Sequence, residues 1–160
     1  MRYKTITAIW DCLRARKKAY VHLSTQATTG IIGLAELRKS IGGIMKVIIA
    51  GSRTATYQNV LDALTNCHFS CDATEIVSGT AGGADTHGEA VARTMNIPIK
   101  RFPAQWATHG KAAGPIRNAE MASYADALIA VWDGKSRGTK NMIENAQKNN
   151  LLVYVHVFCG

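Results

Sequence analysis

The sequence predicts an α/β domain built on a parallel sheet. Three observations carry this: five short β-rich runs, four helical windows between them, and the near-continuous apolar character of most of the runs. A strand covered by helices on both faces has no polar side, so it reads as an unbroken apolar stretch. Strand–helix alternation with short connections gives a parallel sheet with right-handed crossovers.

The elements follow in order from Met45. Lys46–Ala50 (KVIIA) is the first strand. The window Tyr57–Phe69 places Val60, Leu61, Leu64 and Phe69 near one helical face. Glu75–Ser78 (EIVS) is the second strand, and Ala84–Met95 the second helix, with Ala84, Val91 and Met95 inward. Ile97–Phe102 (IPIKRF) reads as a strand. Pro115–Ala125 reads as a helix with proline in its first turn, where its missing N–H costs nothing. Ala127–Trp132 (ALIAVW) is the fourth strand, Thr139–Asn149 the last helix, and Leu152–Phe158 (LVYVHVF) the fifth strand.

The chain has 160 residues, of which 47% are hydrophobic and 19% charged, enough apolar matter for a packed core. Its net charge of +8 suggests an anionic partner, but the charge is unevenly placed. Residues 1–44 hold 8 Lys/Arg against 2 Asp/Glu, and residues 45–160 hold 11 against 9. The body is therefore nearly neutral, which weighs against a phosphate-backbone grip. No apolar run reaches the roughly 18 residues of a membrane span, and no membrane partner is expected. Four scattered cysteines (Cys12, Cys67, Cys71, Cys159) make no disulfide scaffold, and a reducing cytoplasm is the expected compartment. Cys67-His68-x-x-Cys71 and His156-x-x-Cys159 lack paired knuckles, so no metal site is expected.

Residues 1–44 form a basic N-terminal extension without a secretory signal. Ile6, Ile9, Trp10, Leu13 and Tyr20 align as one helical stripe, with Arg14, Arg16, Lys17 and Lys18 opposite. It is read either as a surface helix or as a non-native leader ahead of a start at Met45. The Gly42-Gly43 codons just upstream can spell a ribosome-binding sequence.

Four polar, glycine-containing segments fall where strands end or helices begin, which in a parallel sheet is where ligands bind. Gly51-Ser52-Arg53 follows the first strand; its arginine can pair with a phosphate or carboxylate. Ser78-Gly79-Thr80-Ala81-Gly82-Gly83-Ala84-Asp85 exposes consecutive amides at a helix N-terminus, a phosphate cradle that is neither a P-loop nor a dinucleotide fingerprint. The segment from Trp106 through Lys111 and Gly114 to Arg117 and Asn118 sets a cation in a first turn, where an anion would have to offset the helix dipole. Trp106 could stack on a base or cap the core, and His109 reads as a loop histidine. Asp133-Gly134-Lys135-Ser136-Arg137-Gly138-Thr139 is another glycine-lined helix start; Arg137 reads as solvent-facing.

In this order KVIIAGSR, VSGTAGGAD, FPAQW with GKAAGPIRNAEM, and ADALIAVWDGKSRGT resemble the YspA-like (cpYpsA-related) branch of the SLOG superfamily. These are relatives of the LOG and DprA proteins found in bacteria and their phages. The resemblance runs from Lys46 to about Asn149 and omits the extension. It implies a Rossmann-like three-layer domain over residues 45–160 with a five-stranded parallel sheet. It also implies a nucleotide or nucleotide-derived ligand, such as an ADP-ribose or NAD derivative, at Gly51–Arg53, Ser78–Asp85, Lys111–Asn118 and Ser136–Thr139.

The leading expectation is a binding or sensing module for such a ligand, with no cofactor required and homo-oligomerisation open. A second is LOG-like hydrolysis of a nucleoside-monophosphate N-glycosidic bond. The glutamate that follows the LOG Gly-Thr is displaced here, so Asp85, Glu89 or Asp133 would have to stabilise the oxocarbenium-like state. A third is DprA-like binding of single-stranded DNA, which the near-neutral body disfavours.

Overall fold

Five parallel strands form one sheet in the order β3-β2-β1-β4-β5. They are β1 Met45–Gly51, β2 Ala73–Ser78, β3 Ile99–Arg101, β4 Ala127–Trp132 and β5 Leu152–Val157. The α-helices among the described residues are α1 (Tyr57–Asn66), α2 (Ala84–Thr94), α3 (Trp106–His109), α4 (Ala113–Tyr124) and α5 (Arg137–Lys148). The computed structural model describes residues 44–159. The extension's helical stripe and Cys12 lie outside the described residues, as does the Cys71 side chain.

β1 and β4 lie at the centre, in register Ile48↔Leu128, Ile49↔Ile129, Ala50↔Ala130 and Gly51↔Val131. Their apolar runs are legible because helices cover both faces. Ile48, Ala50, Val77, Leu128 and Ala130 pack with Met121 and Ala122 of α4 and Met142 and Ala146 of α5. On the other face α1 and α2 pack together, α2 against β1 and β2, and α1 against β4 and β5. Gly88 of α2 sits directly on Ile49, where a Cβ would come within 2.7 Å of its side chain. The result is three layers, helix–sheet–helix.

Several expected boundaries move. The first helix stops at Asn66 because Cys67 takes an extended backbone; Phe69 still reaches the core through a 3-10 turn at Ser70–Asp72. The third strand shrinks to three residues, since the Ile97 amide is spent on Ala92 of α2. The helix expected from Pro115 begins at Ala113, making Pro115 its third residue. Proline is tolerated there because the first amides of a helix have no intrahelical acceptor. Arg117 is consequently the fifth residue, beyond the first turn where the sequence reading placed it. The last helix starts two residues early, at Arg137.

Among the described residues no helix is long and apolar enough to cross a membrane. Every strand among the described residues lies at or after Met45. We propose that residues 45–160 fold as a unit: a chain beginning at Met45 is expected to melt cooperatively within about 5 °C of the full chain by circular dichroism. A molten product would show that the extension completes the core.

Candidate functional site

β1 and β4 are neighbours whose chains leave toward opposite faces, β1 into α1 and β4 into α5. The connections diverge and leave a crevice beyond the strands' carboxyl ends. A cleft of about 850 Å³ opens there. It brings together Gly51, Ser52 and Arg53 after β1; Gly79, Thr80, Gly82 and Asp85 around the start of α2; Trp106; Gly114, Arg117 and Asn118 of α4; and Ser136, Gly138 and Thr139 at α5. Of the expected ligand-binding residues, Ser78, Gly83 and Lys111 are not in its wall. Ser78 is buried beneath it, accepting the Thr80 amide at 3.1 Å. Gly83 holds the turn: its φ is +75°, and a Cβ would overlap the Ser52 and Arg53 carbonyls. Lys111 is exposed on the 3-10 turn after α3.

Two of the three candidate catalytic carboxylates are braces. Glu89 accepts Arg101 at 2.8 and 3.0 Å and Arg93 at 2.7 Å, outside the cleft wall. The Arg101 hydrogen bonds, chiefly, hold its carboxyl below the ordinary range. Asp133 accepts the amides of Ser136 at 2.7 Å and Lys135 at 2.9 Å and the Ser136 hydroxyl at 2.8 Å, shaping the turn into α5. The Ser136 amide is the main reason its carboxyl is held well below the usual range. Ser52 is also a joint: its hydroxyl accepts the Asp133 amide at 3.0 Å and its carbonyl the Ala84 amide at 3.3 Å. It thereby ties the loops after β1 and β4 to α2.

Asp85 differs. It is 3% exposed at the cleft floor, with Arg117 Nη1 3.8 Å from its Oδ2 and the Ala81 amide donating at 3.4 Å. Burial pushes its carboxyl up to about 6, against the opposing pull of Arg117 and the amides of Ala81, Gly79 and Gly51. Burial likewise lowers Arg117, and nearby Arg53 adds repulsion. Arg117 Nη1 donates to the Gly79 carbonyl and Nε to Asn118 Oδ1 at 3.0 Å. Two arginines held together beside a single carboxylate leave surplus positive charge that an anion would neutralise.

Backbone donors face the same space. α2 starts after Gly83, which has no side chain to cap it, and the Ser136 hydroxyl is taken by Asp133, so neither helix start is capped by a side chain. Uncapped helix starts of this kind are ready anion sites. Thr80 holds a left-handed backbone, φ 59°, at the wall, a conformation that costs a β-branched residue about 1–3 kcal/mol. The Thr139 hydroxyl is buried without a partner. Trp106 is 54% exposed, its indole edge over Gly114, with Pro103 and Pro115 beside it in the wall.

Sequence reasoning missed Asn141, Thr54 and Met142 in the cleft wall. Arg137, read as solvent-facing, is exposed and also lines the cleft. Asn141 lies three residues after Gly138, the helical spacing that would have found it.

The Asp85 carboxyl supplies a pH test. An unfolded aspartate titrates near ~3.9 and this one near about 6, so the folded state holds the proton more tightly. Its stabilising contribution is complete below about pH 4 and lost as pH rises through 6, on the order of 2–3 kcal/mol. Asp85→Asn cannot titrate. The melting difference between variant and wild type should move in the variant's favour from pH 4 to pH 7; a pH-independent difference would contradict the assignment.

A family model described as the YspA, cpYpsA-related SLOG family (YAcAr) matches residues 45–109. The chain is 36% identical over 116 residues to the Gene 61 protein of Mycobacterium phage D29, spanning 68% of this chain and 93% of that protein. Its fold is similar to that of DNA processing protein A (DprA) from Streptococcus pneumoniae, with a TM-score of 0.54 and 19% identity. That likeness covers 70% of this chain and about half of DprA, 50% of its length, and it concerns fold alone. The parallel sheet, the ordered glycine segments and the phage relative agree: the chain belongs to the YspA, cpYpsA-related SLOG family.

Proposed function

We propose that the cleft binds a nucleotide or nucleotide-derived small molecule, in a binding or sensing role. One observation carries the reading: a cationic, amide-lined wall and a half-exposed indole share one cleft. Phosphate suits Arg53, Arg117 and the uncapped helix starts, through charge-assisted hydrogen bonds that neutral groups do not match. A planar base suits Trp106, whose ring offers stacking at little entropic cost. ADP-ribose and NAD derivatives combine both features.

A hydrolytic reading rests on Asp85, the one candidate carboxylate in the cleft wall, whose raised pKa suits an acid or electrostatic stabiliser near neutrality. Release of free adenine from AMP, followed chromatographically, would favour it over simple binding.

Thermal shift with AMP, ADP-ribose, NAD and adenosine tests the main reading. Ligand at 100 times its Kd adds about 2.7 kcal/mol to the native state. Phosphorylated compounds should raise the melting temperature and adenosine should not. Indifference to every phosphorylated nucleotide would overturn it.

A further inference from the structure

Three described residues other than glycine hold a left-handed backbone: Thr80, Asn96 and Asn150. Asparagine tolerates that conformation, whereas a β-branched side chain is crowded by its own backbone there. Of the three, Thr80 lines the cleft. A strained residue persists only where its surroundings over-determine it, so something must hold this one.

The two peptide planes that flank the Thr80 Cα set its angles, and both are pinned. The plane before it is gripped at both ends: the Gly79 carbonyl accepts Arg117 Nη1, and the Thr80 amide donates to Ser78 Oγ at 3.1 Å. In the plane after it, the Ala81 amide donates to Asp85 Oδ2 at 3.4 Å. Arg117 and Asp85 line the cleft, so a ligand that draws on either loosens its grip on the loop. Ser78 is fully buried below the wall and out of a ligand's reach.

Ser78 is itself oriented from farther out. It ends β2 and stands beside Arg101 of β3 in the strand register. Glu89, one turn past Asp85 on the buried face of α2, is 6% exposed. Arg101 holds its carboxylate with two prongs, Nε to Oε1 at 3.0 Å and Nη2 to Oε2 at 2.8 Å, and Arg93 Nη2 adds a third contact at 2.7 Å. While its oxygen accepts from Thr80, the Ser78 hydroxyl has a proton to give, and the same carboxylate takes it. The Arg101 hydrogen bonds first, and the Ser78 hydroxyl after them, keep the Glu89 carboxyl below its ordinary range.

We propose that Glu89 is a positioning residue of the cleft: fixed by Arg101 and Arg93, it orients the Ser78 hydroxyl, which pins the Gly79–Thr80 peptide and keeps the loop after β2 in its binding shape while Arg117 turns to an anion. This deepens the nucleotide-binding reading, and only its consequence for affinity rests on that reading.

Ser78→Ala removes the pin and leaves Glu89 with both arginines. In the ligand-free full-length protein the Thr80 amide is expected to exchange its hydrogen roughly tenfold faster than in wild type, by local opening, while the Ile129 amide of β4 keeps its rate. In calorimetric titration ADP-ribose should bind about fivefold more weakly, the size of one neutral hydrogen bond. Glu89→Gln keeps the shape but sets an NH2 group among donors, and it should move both readouts in the same direction. Glycine adopts the left-handed backbone freely, so the pin matters less in a Thr80→Gly background. Ser78→Ala should therefore cost less affinity there than in wild type, a coupling that a general packing role would not produce. An unchanged Thr80 exchange rate in Ser78→Ala, or an equal affinity cost in both backgrounds, would overturn the proposal. A wild type that does not bind ADP-ribose would count against the nucleotide reading instead, and the Thr80 exchange rate would then decide the pin by itself.

Discussion

Gly51→Ala is expected to destabilise the domain by about 3–4 kcal/mol, the scale of forced overpacking in a core with no room to relax. Gly51 ends β1 directly opposite Val131 of β4. A Cβ there would overlap the Val131 carbonyl and approach the Ala84 Cβ to 3.0 Å. That carbonyl accepts the Ser52 amide at 2.9 Å, so it cannot turn away without losing a bond. The two central strands would have to part where they form the cleft floor. At ~3–5 °C per kcal/mol for a domain between the small and large classes, the melting temperature should fall by roughly 10 °C or more. Gly138→Ala is the control: a Cβ meets nothing within 4 Å there, and alanine in a helix is neutral to slightly favourable. Urea unfolding of both variants gives the comparison. If Gly51→Ala unfolds with the wild-type midpoint, the β1–β4 register at the cleft is misassigned.

Arg117→Ala should weaken nucleotide binding by about 2–3 kcal/mol, roughly 30- to 150-fold, the loss of charge-assisted hydrogen bonds from a preorganised guanidinium. The side chain is locked by Gly79, Asn118 and Asp85, so little order is lost when an anion arrives. The same locking adds a stability cost. Removing the cation leaves the Asp85 carboxylate buried with no ion-pair partner, and melting at neutral pH should fall while melting near pH 4 changes less. Arg117→Lys should not restore binding, because a point charge cannot reproduce the fork that spans Gly79 and Asn118. Arg53→Ala should cost less because Arg53 is exposed, and Lys111→Ala should cost least because Lys111 is outside the cleft wall. Calorimetric titration of ADP-ribose orders the variants. Wild-type affinity in Arg117→Ala together with a lower melting point would make Arg117 a brace between Gly79 and Asp85.

The parts of this fold legible in the sequence are those governed by nearest neighbours along the chain. KVIIA and ALIAVW announce central strands because burial on both faces excludes polar residues over the whole run. The glycine segments after β1, β2 and β4 announce the cleft because the sheet topology gathers the strands' carboxyl ends at one edge. What escaped was the division of labour inside those segments. Asp133 and Glu89 have the residue type of a catalyst, yet hydrogen bonds to Ser136 and to Arg101 use them as braces. The Glu89–Arg93 pair has helical i,i+4 spacing, but its stronger partner, Arg101, comes from a different element. Ser52 likewise serves a loop 81 positions away.

Backbone amide shifts followed by nuclear magnetic resonance during titration with ADP-ribose test the central claim most directly. The account expects the largest changes at Gly79–Gly83, at Arg117 and Asn118, and at Gly138–Asn141, with the Trp106 indole N–H moving in the same titration. The amides of the edge strand β5 and of the exposed Lys111 turn should change least. Shifts concentrated on β5, or spread evenly over exposed lysines with the cleft amides unmoved, would contradict it.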